Sequence, residues 1–143
     1  MKKGSIILFF VFVLLQVYAK QGSVQTYLPD HPFIQYTGRI DFSNPQLPRF
    51  WQPGVYISFR FRGNACEVLL NDEMLWGSNH NYIELIVDGK AVRLQTKTKN
   101  DTLSVTNYLS AANEHTIIVC KNTEANIGYM ELVGIRCEEL LQP

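Results

Sequence analysis

Metal ligands, nucleophiles and charge of one sign are all scarce in this sequence. Its three cysteines, Cys66, Cys120 and Cys137, form no Cys-x-x-Cys, and its three histidines, His31, His80 and His115, lie far apart. No metal site and no cofactor is expected from such spacing. There is no Gly-x-Ser-x-Gly elbow and no Gly-Asp-Ser. None of Asp30, Asp41, Asp72, Asp88 and Asp101 is followed by histidine three residues on. The chain therefore lacks both an activated nucleophile and the acid–histidine pair that would serve one, and is not expected to be an enzyme by itself. Asp41 with Glu124, or Glu67 with Glu84, could be paired as glycosidase carboxylates, but isolated acids on strands and turns account for them better. Basic and acidic residues balance at 13 each with no basic run, which removes the electrostatic reason to expect nucleic acid.

What the chain does have begins with a leader. Lys2 and Lys3 precede an apolar run from Ile6 to Leu15, and Val17-Tyr18-Ala19 offers a cleavage site. That is the plan of a secretory signal peptide over residues 1–19, and the run is short for a spanning helix. A periplasmic or secreted protein follows, with no membrane attachment after cleavage. No cysteine follows the run to carry a lipid. The remaining 124 residues, with 11 basic and 13 acidic side chains, suffice for one domain with one core. An odd number of cysteines leaves at least one unpaired within the chain, and their apolar surroundings favour buried thiols acting as small hydrophobes.

The domain reads as strands. Residues 20–32 are a polar leader segment, and Phe33 to Phe42 is the first strand. Val55, Ile57, Phe59 and Phe61 alternate with Tyr56, Ser58, Arg60 and Arg62, the period of a half-buried strand. A second strand is expected after a turn at Arg62-Gly63-Asn64. Phe50 and Trp51, set among prolines, are expected to pack over one end of the sandwich. Tyr82 to Val87 and Ala91 to Thr96 flank Asp88-Gly89, a strong hairpin signal. Thr102 to Leu109, His115 to Lys121 and Tyr129 to Cys137 complete the set. Short strands at this spacing, with no amphipathic helix, predict an all-β antiparallel sandwich, a jelly roll of about eight strands.

One loop could bind sugar. Trp76 lies among turn formers with Asn79, His80 and Asn81, a set able to stack on a pyranose ring and bond its hydroxyls. The same tryptophan could instead fold onto the sandwich or onto a neighbouring domain.

Several separated segments together resemble the N-terminal domain of carbohydrate esterase family 2. They are Gly38-Arg39-Ile40-Asp41-Phe42-Ser43 with Pro45, Pro48, Arg49 and Phe50, and Trp51-Gln52-Pro53-Gly54. Phe59-Arg60, Gly63 and Asp88-Gly89 continue the resemblance, followed by His115-Thr116, Lys121 to Glu124-Ala125, Gly128 and Gly134-Ile135. Gln52, between Trp51 and Pro53, departs from the family pattern. The resemblance implies a jelly-roll domain over residues 33–139 in which Gly38, Arg39, Asp41, Trp51, Pro53, Gly54, His115 and Glu124 serve the fold. It implies a partner, an SGNH-type catalytic domain in the same or a neighbouring reading frame, that removes acetyl groups from plant polysaccharide such as xylan or glucomannan. Residues 140–143 would begin the linker to that domain, with Leu140 and Leu141 contributing to an exposed apolar patch. A free-standing carbohydrate-binding module and an interaction domain without ligand are the alternatives.

Overall fold

The computed structural model describes residues 22–143; the expected signal peptide lies outside them. Nine antiparallel strands form a jelly-roll sandwich: β1 (Gln25–Tyr27), β2 (Gln35–Thr37), β3 (Arg49–Phe50), β4 (Tyr56–Asp72), β5 (Tyr82–Val87), β6 (Lys90–Gln95), β7 (Asn100–Ser104), β8 (Glu114–Lys121) and β9 (Met130–Leu141).

The 17-residue β4 organises the rest. Its first half pairs with β8 on one edge and with β2 and the end of β9 on the other. Its second half pairs with β7 and with the start of β9. One strand thus serves both layers. In one layer β8 continues to β5 and β6; in the other β9 continues to β1 and β3.

Where two strands and a turn are expected, the chain makes one bent strand. Burial alternates on odd positions from Ile57 to Gly63, slips at Asn64 and Ala65, and resumes on even positions from Cys66 to Asp72. The register against β9 shifts at the same place. An extra residue in a strand flips every following side chain, so a bulge keeps both halves facing the core as the strand crosses layers. Gly63 makes this possible: its φ is +131°, and a Cβ there would lie 2.8 Å from the Glu138 Cβ.

The core draws on both halves. In one layer Ile57 pairs with Val119, which pairs in turn with Leu85, and Phe59 pairs with Ile117, which pairs with Val87; in the other Val68 pairs with Ile135 and Leu70 with Leu132. All are buried. The Asp88-Gly89 hairpin forms as expected, with φ of 51° and 80°, the left-handed pair of a type I′ turn.

Four boundaries differ from the sequence reading. The polar leader contains β1, whose Tyr27 hydroxyl accepts from the Leu140 N–H at 3.2 Å. The expected strand at Phe33–Phe42 is only β2, because Gly38 breaks it and Asp41 and Asn44 then cap turns by accepting from the backbone N–H groups of Ser43 and Gln46. The run from Thr102 divides into β7 and a one-turn helix, Thr106–Tyr108, whose Thr106 side chain bonds both the N–H and the carbonyl of Cys66. Finally, β9 runs through Leu141, and Leu140 is 5% exposed. The strand continues past 140, where the linker is expected to begin, and neither leucine is exposed: Leu140, paired with Phe61 of β4, is buried and Leu141, paired with Arg60, is half-buried.

Candidate functional site

The segments before and after β3 meet the turn that precedes β9 at one end of the sandwich. Arg39, Ile40, Asp41, Trp51, Gln52 and Ala125 line an open hollow of about 420 Å³. A second hollow of about 210 Å³ adjoins it, with Asp41 as a shared wall and Arg49 and Glu131 on its far side. Gly38 brings the Arg39–Asp41 segment into place by close approach: at φ +108° its Cβ would stand 2.9 Å from the Val55 Cγ2. Pro53 and Gly54 turn the chain back into β4, where the Gly54 N–H donates to the Lys121 carbonyl at 2.8 Å.

Trp51 is held from behind. Its ring meets Tyr129 edge to face with centroids 5.9 Å apart. The Arg49 guanidinium lies 4.1 Å from the Tyr129 ring centroid and 5.9 Å from that of Trp51. Arg49 is itself fixed by Glu131, which accepts from Nε at 2.7 Å and, through its other oxygen, from Asn71 at 2.8 Å. Glu131 is 4% exposed, so a buried carboxylate anchors the stack that orients the indole. Phe50 and Trp51 are expected to pack together over one end of the sandwich; Phe50 is buried in the core, while Trp51 is only half-buried and lines the hollow.

Among the described residues the side chains of Arg39, Gln52 and Trp51 donate to no protein hydrogen bond. Asp41 uses Oδ1 for the N–H and hydroxyl of Ser43, at 2.8 and 2.5 Å. The Ser43 hydroxyl and N–H together hold that carboxyl below the usual carboxylate range.

The loop carrying Trp76 is built differently. Trp76 is 86% exposed, and it and Met74 have φ of 61° and 49°, a left-handed backbone that side chains adopt at a cost. It is not folded onto the sandwich. Asn81 cannot serve as a sugar contact: it is fully buried, and its Nδ2 donates to Asp72 Oδ1 at 2.7 Å while its Oδ1 accepts from Thr123 at 2.5 Å. Asp72 also accepts from the N–H groups of Met74 and Asn81 and from Thr96. Asn79 and His80 are half-buried.

His115 and Glu124 lie outside the hollow. His115 is buried against Phe61, and its Nδ1 lies 2.8 Å from Asp88 Oδ2 in the hairpin turn. Partial burial tends to raise the Asp88 carboxyl, but hydrogen bonds from His115, the Thr116 N–H and Ser110 outweigh it and hold Asp88 low. Glu124 precedes the turn Ala125–Ile127, and its carbonyl accepts from the Ile127 N–H at 3.1 Å and from Lys121 Nζ at 3.2 Å. Glu67 pairs with Arg136 on one layer, while Glu84 lies on β5 of the other, so no carboxylate pair forms there. Among the described residues no group of three His, Cys, Asp or Glu gathers as a metal site.

Arg39, Asp41 and Trp51, expected to serve the fold, come together around a hollow. That Ile40, Arg49, Tyr129 and Glu131 belong to the same arrangement is not visible in the sequence, since their proximity depends on the β3–β9 pairing. The available signal was Gln52, a polar residue beside an aromatic in a proline-rich turn.

The chain itself has relatives. A family model described as carbohydrate esterase 2 N-terminal matches residues 36–143, most of the chain. The chain belongs to the carbohydrate esterase 2 N-terminal family. The cellulase/esterase CelE of Acetivibrio thermocellus is 31% identical over 112 residues, covering 77% of this chain and 13% of CelE. A family two carbohydrate esterase from Cellvibrio japonicus superposes with a TM-score of 0.73 at 19% identity, over 85% of this chain and 36% of that one. A family two carbohydrate esterase from Clostridium thermocellum, solved with cellohexaose, gives a TM-score of 0.66 at 26% identity, over 77% of this chain and 33% of that one. This esterase-family domain thus spans about a third or less of the length of these three proteins. All of the hollow's lining residues fall inside the matched segment.

Proposed function

We propose that this domain is the non-catalytic N-terminal part of an exported carbohydrate deacetylase, and that it supports an SGNH-type hydrolase domain acting on plant polysaccharide. One observation carries this reading: residues 36–143 match a domain that makes up a fraction of longer esterases. The chain has no Gly-x-Ser-x-Gly elbow, Gly-Asp-Ser or Asp-x-x-His, and the one histidine paired with an aspartate among the described residues, His115 with Asp88, is buried against Phe61 at a hairpin turn, which agrees with a supporting role. Trp76, 86% exposed on a strained turn, is the side chain this role would use at a domain contact, where a buried tryptophan is a frequent anchor.

Sequencing the DNA beyond the Pro143 codon, together with the mass of the native exported product, tests the proposal. An SGNH domain opening with Gly-Asp-Ser, in the same or an adjacent frame, is expected, and the mature product should start at Lys20. A native product that ends at Pro143 with no hydrolase encoded beside it would contradict the supporting role. A product retaining Met1 would contradict export with cleavage.

A further inference from the structure

We propose that the hollow between Arg39–Asp41 and Trp51–Gln52 is a binding site for a neutral, pyranose-based oligosaccharide. It rests on this domain's own residues and does not require the catalytic partner. Four features point to this ligand chemistry. The first is a rigid aromatic wall: Trp51 is half-buried and braced by Tyr129 and Arg49. A braced indole offers an apolar face to the C–H groups of a sugar ring without ordering cost on binding.

The second is the set of free polar groups. The Arg39 guanidinium, the Gln52 amide and the indole N–H have no protein partner among the described residues. Asp41 Oδ2 likewise accepts from none of them, since both Ser43 bonds go to Oδ1. Planar groups that donate and accept in pairs suit vicinal hydroxyls. The third is charge: one guanidinium and one carboxylate share the wall, so the site has no net preference for an anion or a cation. The fourth is shape. An open hollow of about 420 Å³ falls within the ~300–1,000 Å³ typical of ligand clefts, and the adjoining one past Asp41 lets a chain of sugars continue. The Trp76 loop lacks this setting, because Asn81 is committed to Asp72 and Thr123.

The chain has two tryptophans, which makes the test selective. The full exported chain is titrated with cellohexaose, xylohexaose and mannohexaose, following tryptophan emission and calorimetric heat. At least one should bind saturably with a Kd on the order of 1 mM or below, the strength expected of one stacking platform with a few hydrogen bonds. Trp76→Ala should leave that Kd within about twofold, while Trp51→Ala should raise it about tenfold or more. Arg39→Ala and Gln52→Ala, both at exposed positions, should each raise it about threefold or more. They decide the matter if Trp51→Ala fails to fold. No saturable binding of any of the three sugars, binding that follows Trp76, or binding indifferent to both Arg39→Ala and Gln52→Ala would overturn the proposal. None of those results would touch the downstream sequence or the mass of the native product, so the supporting role stands or falls separately.

Discussion

Cys66 and Cys137 face each other across the β4–β9 pair, each almost fully buried. Burial pushes the Cys137 thiol up to about 12 and the Cys66 thiol higher still, the latter helped by Cys137 itself. Thiols held in the protonated form are poor nucleophiles. Titration of the native protein with a thiol reagent should therefore label Cys120, which is half-buried, slowly and the other two not at all. All three should react once urea unfolds the chain. Rapid labelling of Cys66 or Cys137 in the native state would contradict their placement in the core.

Lys121 is the other residue whose surroundings set a measurable quantity. It is 1% exposed, and its Nζ donates to the carbonyls of Thr123 and Glu124 at 2.6 and 3.2 Å and to the Thr123 hydroxyl at 3.2 Å. Burial pushes its ammonium down to about 8, against opposing attraction from Asp72 and Glu124. Between about 8 and the ordinary lysine value of 10.5 the unfolded chain binds more protons than the folded one, so stability rises with pH across that window. Tyr36 acts in the opposite sense. Burial and Asp30 hold its phenol above the ordinary 10.0, so stability falls again once unfolded tyrosine ionises. In urea melts from pH 7 to 10.5 Lys121 should add a rise above pH 8 to the fall that the thiols of Cys66 and Cys137, held by burial above the ordinary 9.0, impose from about pH 9 and Tyr36 from about 10. The rise should vanish in Lys121→Met; a slope unchanged by that substitution would refute the assignment.

At the scale of elements, the bend of β4 concentrates the constraint. Gly63→Ala would place a Cβ 2.5 Å from Glu138 Cδ and 2.8 Å from its Cβ, at a φ of +131°. A cost of about 2–3 kcal/mol is expected from clash and strain together. Gly54 also has a positive φ, +80°, but open space where a Cβ would go. Its alanine variant should lose only about 1 kcal/mol. Equilibrium urea unfolding of the two variants tests the difference, and equal losses would mean that Gly63 is not the crossing point between layers. The alternation on either side of this bend was legible in the sequence, because period-2 patterning survives any fold that buries one face. The bend itself was not legible. A glycine followed by Asn-Ala fits a turn as readily as a bulge, and only the shift of burial from odd to even positions distinguishes them. The hairpin at Asp88-Gly89 was read correctly because its turn type depends on two adjacent residues. The extent of β9 was misread because the partners of Leu140 and Leu141 lie about 80 residues earlier, at Phe61 and Arg60.

For the whole molecule, the same contrast governs function. The all-β sandwich and the family were legible from patterning and from motifs dispersed along nearly the whole domain. The hollow was not, since its walls come from three segments joined only by β3 pairing with β9 and by the turn at Ala125. Trp76 attracted a binding role from loop composition, yet Asn81 beside it completes a buried network around Asp72. Composition cannot tell a polar side chain spent inside the fold from one facing solvent. The proposed role, to support deacetylation and not to perform it, is tested by measuring acetate release from acetylated xylan. The purified chain alone should release acetate no faster than buffer. Acetate release above buffer that disappears with a single substitution in this chain would contradict the supporting role.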